Sequence, residues 1–267
     1  MSINREFWLD SFQENNLPNW PCPRCGEGVL RPVDGSFRYW ESGDSYEKGK
    51  NYLIELGFYD PNNNSMLSME LAVYRYSVLL KCNNSNCREH VSSCGFGYEA
   101  NDYNPIKKET EEYNVFEPLF FYPQVNIFSI PKDCPENVSK EIRSSFKLFF
   151  TDPPAAASYA RKAVDEILTD KRVKRYVRSK GKQIKISLHD RIVTFQKNKP
   201  EVARKLFAVK WLGNEGSHTD NMTKNDVLDA YEILESVIDD LYVGYRRLVD
   251  KKVEKIIKSK KPLHPST

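Results

Sequence analysis

The amino-acid sequence predicts an α+β protein, with strands gathered in its first half and helices in its second. Three observations carry that reading. Residues 1–130 hold β-branched and aromatic runs broken by turn chemistry, together with two spaced cysteine pairs. Residues 131–267 show apolar side chains at helical spacing behind capping residues, and end in a basic tail. Charge divides at the same place: Met1 to Ile130 carries 11 Lys/Arg against 18 Asp/Glu, and the remainder carries 29 against 19.

A chain of 267 residues corresponds to one or two domains, and 40% hydrophobic with 12% aromatic residues suffices for a real core. No apolar run reaches the roughly 18 residues of a membrane span. The stretch Met1 to Trp8 has no apolar signal-peptide core, so a cytoplasmic protein is expected. In that setting the six cysteines read as thiols or metal ligands, not as a disulfide framework.

Along the first half, Tyr52 to Tyr59 is a compact apolar run, and Ser68 to Lys81 alternates in part and is rich in β-branched and aromatic residues. Asp60 to Asn64 between them is strong turn chemistry, so the two runs are expected to pair as a long hairpin. The boundary is placed within Ile106 to Pro131, where the aromatic run Phe116 to Tyr122 reads as a strand or an interdomain strap.

Along the second half, Cys134-Pro135-Glu136 opens a helix to about Phe150. Asp152-Pro153 is an N-cap followed by proline in the first turn. The helix that follows sets Ala160, Val164, Ile167 and Leu168 on one face. Ser187 caps a shorter helix through Phe195, and Lys199-Pro200-Glu201 starts one that runs into Gly213. Thr223 with Asp226 nearly matches a capping box. Behind it, Val227, Tyr231, Leu234, Ile238, Leu241, Tyr245 and Leu248 form a heptad seam, which packs inside a bundle or across a dimer. After Lys251 the lysine-rich tail is expected to fray.

Pro21-Cys22-Pro23-Arg24-Cys25-Gly26 is a metal-knuckle sequence, because two thiolates two residues apart on a turn can bite one tetrahedral ion. Its partner pair is Cys82 and Cys87, at the end of the expected strand. Knuckle, hairpin, knuckle is the build of a zinc ribbon, so Cys22, Cys25, Cys82 and Cys87 are expected to hold a structural zinc ion. Cys94 or His90 stands close enough in sequence to replace one ligand, and Cys134 reads as a buried thiol. Four protein ligands leave no open position for catalysis. Such a ribbon holds a fold, or recognises nucleic acid or protein, and the residues do not choose.

Lys171 to Trp211 contains 14 basic residues and two acids, Asp190 and Glu201. That density can attract phosphates by counterion release, so nucleic acid or another polyanion is an expected partner. The competing reading is a solvated helical face, or a surface that docks the acidic first half. At the end of this region, Lys210 to His218 carries Gly213, Asn214, Gly216 and His218. As a bare pattern it reads as a C-cap and loop, with the glycines turning the backbone and exposing Asn214 and His218.

The segment from about Pro135 to Leu248 resembles a bacterial domain family of unknown function that is often attached to restriction endonucleases and placed in the HEPN superfamily. The likeness rests on Ala155 to Asp165, similar to the family's small-residue helix with a central arginine, here Arg161, and on Trp211 to His218, similar to its glycine-asparagine…histidine signature. It covers somewhat under half of the chain. The resemblance implies an all-α HEPN-like helical bundle, a homodimer, and a role beside a defence-system partner protein. Many members are metal-independent ribonucleases with an arginine, a polar residue and a histidine in line. Asn214 and His218 match the last two, while Gly213 stands at the arginine position, with Lys210 just upstream and Arg161 on another helix. In that chemistry His218 moves protons, Asn214 orients the phosphate, and Arg161 or Lys210 meets the developing charge. The alternative for His218 is a helix-cap or interhelical bond with Asn214, and for Arg161 an ion pair with Asp165 or Glu215. Two functions follow: a defence-associated ribonuclease, or a non-catalytic nucleic-acid or nucleotide-binding or scaffolding subunit of a restriction or anti-phage complex.

Overall fold

The computed structural model describes residues 3–55, 72–104, 108–179, 181–215, 222–243 and 245–260. The chain divides into two compact units, Asn4–Asn126 and Ile127–Thr267 with Met1–Ile3. No helix among the described residues is long and apolar enough to cross a membrane. The fold is mixed α+β.

In the N-terminal unit a short helix, α1 (Arg5–Leu9), starts where the Asn4 side chain accepts the Phe7 amide. The sheet contains β1 (Leu30–Pro32), β2 (Arg38–Glu41), β3 (Val73–Cys82), β4 (His90–Asn104) and β5 (Glu109–Tyr122). All pairings are antiparallel, with β1 and β2 along one edge of β3, β4 along the other, and β5 outside β4. The period of two along β3 buries Tyr76, Val78, Leu80 and Cys82 while their neighbours face outward. Phe12, Trp20, Phe37, Phe116 and Phe121 join that face. Phe37 stacks on Tyr76 at 5.4 Å between ring centroids, and Trp20 meets Phe121 edge-on at 5.0 Å. The Tyr76 hydroxyl, far from water, is satisfied by Ser93 at 3.1 Å.

One expectation fails here. Residues 52–55 are not a strand but the end of α2 (Gly43–Glu55), and 56–71 lie outside the described residues. Ser42 starts the helix, accepting the Ser45 amide at its hydroxyl and the Tyr46 amide at its carbonyl. A short apolar run fits helix and strand alike by periodicity, and the upstream cap decides it. The partners of β3 are therefore β1, β2 and β4. The run Phe116 to Tyr122 is strand, the end of β5.

The C-terminal unit holds α3 (Glu136–Leu148), α4 (Pro153–Asp170), α5 (Leu188–Gln196), α6 (Pro200–Glu215), α7 (Lys224–Ile238) and α8 (Tyr245–Ser259). Asp152, Ser187 and Thr223 cap α4, α5 and α7, and Thr223 with Asp226 closes a full capping box. Val227, Tyr231, Leu234 and Ile238 are wholly buried, so the first half of the seam packs inside this unit. One wide turn of π-helix, Asp239–Val243, then interrupts the seam before α8. The side chains of Tyr245 and Leu248 lie outside the described residues. Contrary to the expected fraying, α8 continues to Ser259.

The unit is not all-α. Between α4 and α5 stands a hairpin of β6 (Tyr176–Ser179) and β7 (Lys182–Lys185), turned at Gly181 with φ +77°. The signal was present in sequence: two short alternating stretches flank a glycine that can take the left-handed conformation.

Small residues set the helix spacing. Ala156, Ala157, Ala160 and Ala163 on α4 are fully buried. The Ser145 hydroxyl of α3 donates to the Ala156 carbonyl at 2.6 Å and lies 2.8 Å from the Tyr231 hydroxyl. Arg191 of α5 is only 1% exposed. Its guanidinium donates to the Asp165 carboxylate, to the Asp165 carbonyl at 3.0 Å, to Thr169 Oγ1 at 3.0 Å and to the Val173 carbonyl at 2.8 Å. The same arginine thus ties α5 to the end of α4 and the chain leading into β6. Removing it leaves the Asp165 carboxylate with Arg175 alone and takes the guanidinium donor from the Thr169 hydroxyl and the Val173 carbonyl. Arg191→Met is expected to lower stability by about 3 kcal/mol, read from the urea midpoint of the C-terminal transition.

Candidate metal centre and basic surface

The period of β3 ends on Cys82 at the core face, and β1 places Leu30 opposite it. Pro21 bridges Val29 antiparallel, which folds residues 22–28 into a tight loop over that strand end. Within the loop the Cys22 amide donates to the Gly28 carbonyl at 2.9 Å, and the Gly26 amide to the Cys22 carbonyl at 2.9 Å. Across from it, Cys87 and Arg88 turn back on the Asn84 carbonyl. Both turns end in a left-handed residue just after the second cysteine, Gly26 at φ +69° and Arg88 at φ +54°. Gly26 adopts this freely, whereas Arg88 does so against its own Cβ. Asn83 joins the turns, its side chain accepting the Val29 amide at 3.0 Å, and Arg24 donates to the Cys87 carbonyl at 3.3 Å.

The sulfurs of Cys22, Cys25, Cys82 and Cys87 all lie within 4.8 Å of one another. Cys22 and Cys87 are 3.7 Å apart, and Cys25 and Cys82 are 3.8 Å apart. A tetrahedral ion with metal–sulfur bonds of about 2.3 Å would set its sulfurs about 3.8 Å apart. None of the four forms a disulfide. The donor set and its spacing therefore fit a metal ion held wholly by protein. Cys94 and His90 are not in the cluster: Cys94 lies along β4 opposite Ser77, and His90 opposite Lys81. Cys134, before α3, is buried, and that burial raises its thiol.

The thiols differ electrostatically. Burial pushes Cys22 up to about 12 and also raises Cys82. The backbone N–H groups of Gly28 and Glu27 hold Cys25 down at about 6. Cys25 is thus the thiolate that meets an incoming cation, and the buried pair gives up protons as the ion arrives.

The second group of candidates centres on α6. The expected glycine turn is not there: Gly213, Asn214 and Glu215 continue the helix. A Cβ on Gly213 would sit 2.5 Å from Arg161 Cβ and 2.7 Å from the Ala157 carbonyl. Glycine is required for the close approach of α6 to α4, not for backbone freedom. Arg161 is therefore brought against α6 one residue before Asn214. Its Nε is buried and has no hydrogen-bond partner among the described residues. The carboxylate of Asp165 is engaged instead by Arg191 and Arg175. Lys210 is 7% exposed, its ammonium 3.7 Å from the centre of the Trp211 ring. His218 lies outside the described residues, in 216–221. Sequence reasoning missed Arg191, whose role depends on contacts 18 to 26 residues away. Arg172, Lys174, Arg178, Lys182, Lys185, Lys197 and Arg204 all remain exposed within their unit.

Two stretches match families. Residues 143–260 match a domain of unknown function, DUF4145, and residues 10–121 match a second domain of unknown function, DUF8608. The cysteine cluster falls in the second stretch; Arg161, Lys210, Asn214 and His218 fall in the first. No curated protein and no solved structure matches the chain.

Elemental analysis of the purified protein is expected to find a single metal ion per chain, lost in Cys22→Ser and Cys82→Ser. A Cβ at Gly28 would lie 2.5 Å from Cys82 Sγ and 3.0 Å from Asn84 Cβ, so Gly28→Ala is expected to weaken metal retention against a chelator. Because Cys22 and Cys82 are raised, protons compete with the ion throughout the neutral range, and below about 6 Cys25 competes as well. Apparent affinity is therefore expected to fall steadily from about pH 8 to about pH 5.5 in a chelator competition, and equal affinity at both ends would contradict the assignment.

Proposed function

We propose that the chain is a zinc-stabilised nucleic-acid-binding protein, whose N-terminal unit is clamped by a four-cysteine zinc centre and whose C-terminal unit carries the contact surface. The observation behind this reading is the set of seven exposed cations between Arg172 and Arg204, in a stretch almost free of acids. Zinc suits four thiolates at tetrahedral spacing, and a fully protein-ligated ion of this kind supports folding, not chemistry. The resemblance to HEPN domains adds a homodimer and a partner protein from a restriction or anti-phage system, with RNA favoured over DNA.

A second reading, a metal-independent ribonuclease, draws on one observation. Gly213 occupies the motif's arginine position, yet its missing side chain is what lets Arg161 arrive there from α4. Asn214 follows Gly213 on α6, so two of the three residue types of that chemistry meet there, and His218, outside the described residues, is the third in sequence. Lys210 is buried and held over Trp211, which leaves Arg161 as the cation for this reading.

The test is labelled single-stranded and transfer RNA with the full chain, without added divalent metal, beside His218→Ala and Asn214→Ala. Salt-sensitive binding kept in both variants, with no cleavage, is the expected result. The logarithm of affinity should fall with that of salt concentration by about 0.7 per phosphate contact on a single strand. Cleavage that disappears in His218→Ala would establish the ribonuclease instead, and absence of binding at low salt would sink both.

A further inference from the structure

The β6–β7 hairpin stands between α4 and α5, and every residue of its two strands is exposed. The span 171–185 carries eight Lys/Arg and no acid. Of these, Arg175 is engaged by Asp165 and Glu166, and Lys171 by Asp170 and the Tyr242 ring. The cations on the strands themselves have no ion pair among the described residues.

The register sorts the side chains. Tyr176 lies opposite Lys185 and Arg178 opposite Gln183, while Val177 lies opposite Ile184. Directly opposed residues share a face, and successive residues alternate between faces. One face therefore presents Tyr176, Arg178, Gln183 and Lys185 together. The other carries Val177, Ile184, Ser179 and Lys182, with Val177 beside a recess of about 470 Å³ that Val173, Ile186 and Phe195 also line. Val177 lines a recess of its own unit, and the face that carries Tyr176, Arg178, Gln183 and Lys185 is the opposite, outward one. Tyr176 keeps 47% of its surface in water.

An exposed aromatic ring beside cations on a flat two-stranded surface is a poor arrangement for a folded core. It is the arrangement by which proteins hold a single strand: bases stack on the ring while cations follow the phosphates. We infer that the outward face of the β6–β7 hairpin is a docking site for single-stranded nucleic acid, with Tyr176 as the stacking platform, Arg178 and Lys185 on the phosphates and Gln183 at a base edge. This rests on the nucleic-acid-binding reading and locates its contact surface. Charge complementarity selects a polyanion, and the exposed ring selects one that has free base faces.

The experiment measures fluorescence anisotropy of the full chain with a labelled single-stranded RNA, the same sequence in DNA, and its blunt duplex, at low and moderate salt. Polyglutamate serves as competitor. The variants are Tyr176→Ala, Arg178→Glu with Lys185→Glu, and a control with equal charge change on α8, Lys252→Glu with Lys255→Glu. The hairpin charge variant is expected to bind a single strand at least about tenfold more weakly, with a salt dependence shallower by about 1.4 for two lost contacts. Tyr176→Ala is expected to lose about tenfold on single strands and little on the duplex. The ratio of RNA to DNA affinity shows which single strand is preferred. If the α8 control loses as much as the hairpin variant, the hairpin inference falls and nucleic-acid binding survives. Tight duplex binding unaffected by Tyr176→Ala would also overturn it, as would polyglutamate competing as well as RNA, which marks an acidic protein partner. No binding of any nucleic acid by the unaltered chain would remove the parent reading as well.

Discussion

Four thiols brought within 4.8 Å of one another at the end of β3 set the organisation of the N-terminal unit. Four thiolates this close would repel one another, and a cation among them would offset that repulsion. Everything nearby serves that convergence. The alternation of β3 delivers Cys82 on the core face, the pairing with β1 aligns Leu30 and the preceding loop above it, and two left-handed turns point the remaining thiols inward. Residues 22 and 87 are far apart in sequence, and an ion that joins them removes much of the freedom of the chain between. The aromatic cluster of Phe12, Trp20, Phe37, Tyr76, Phe116 and Phe121 then fills the same sheet face.

In the C-terminal unit the governing constraint is close approach. The alanines of α4 and Gly213 of α6 remove side-chain bulk where the helices meet, and a single methyl at Gly213 would collide with Arg161 and with backbone. The packing has a consequence for the surface. With Arg161 pressed against α6, Lys210 folded onto Trp211 and Arg191 consumed by α4, the cations left at the surface include those of the hairpin. Buried arginine and exposed arginine in this unit do different work: Arg191 ties helices together, and Arg178 faces solvent.

The legible parts of the fold were those written in local chemistry. Helix starts at Asp152, Ser187 and Thr223 follow from side chains that accept amides three residues on, which is a contact within one turn. The cysteine pairs were legible because ligand spacing is a local property of a knuckle. The errors lie where the deciding partner is distant. Residues 52–55 read as strand from their apolar run, whereas Ser42 commits them to α2. Gly213 read as a turn, whereas its neighbour is a helix roughly 50 residues earlier in the chain. The hairpin at 176–185 went unread although its two alternating stretches flank Gly181, because strands of four exposed residues add no buried run to mark them.

By itself, then, the sequence determined the α+β class, the caps of the second half, the four cysteines suited to one ion and the uneven distribution of charge, since each depends on residue type and short spacing. Tertiary structure alone excluded Cys94 and His90 from the cluster, because both lie near Cys87 in sequence and β4 carries them elsewhere. It decided that Gly213 is a contact and not a turn, and that Arg191 is buried while Arg178 is not. The physical reason is the same in each case. Burial and close packing are properties of the space between elements, and no residue carries that information until its neighbours from elsewhere in the chain are in place.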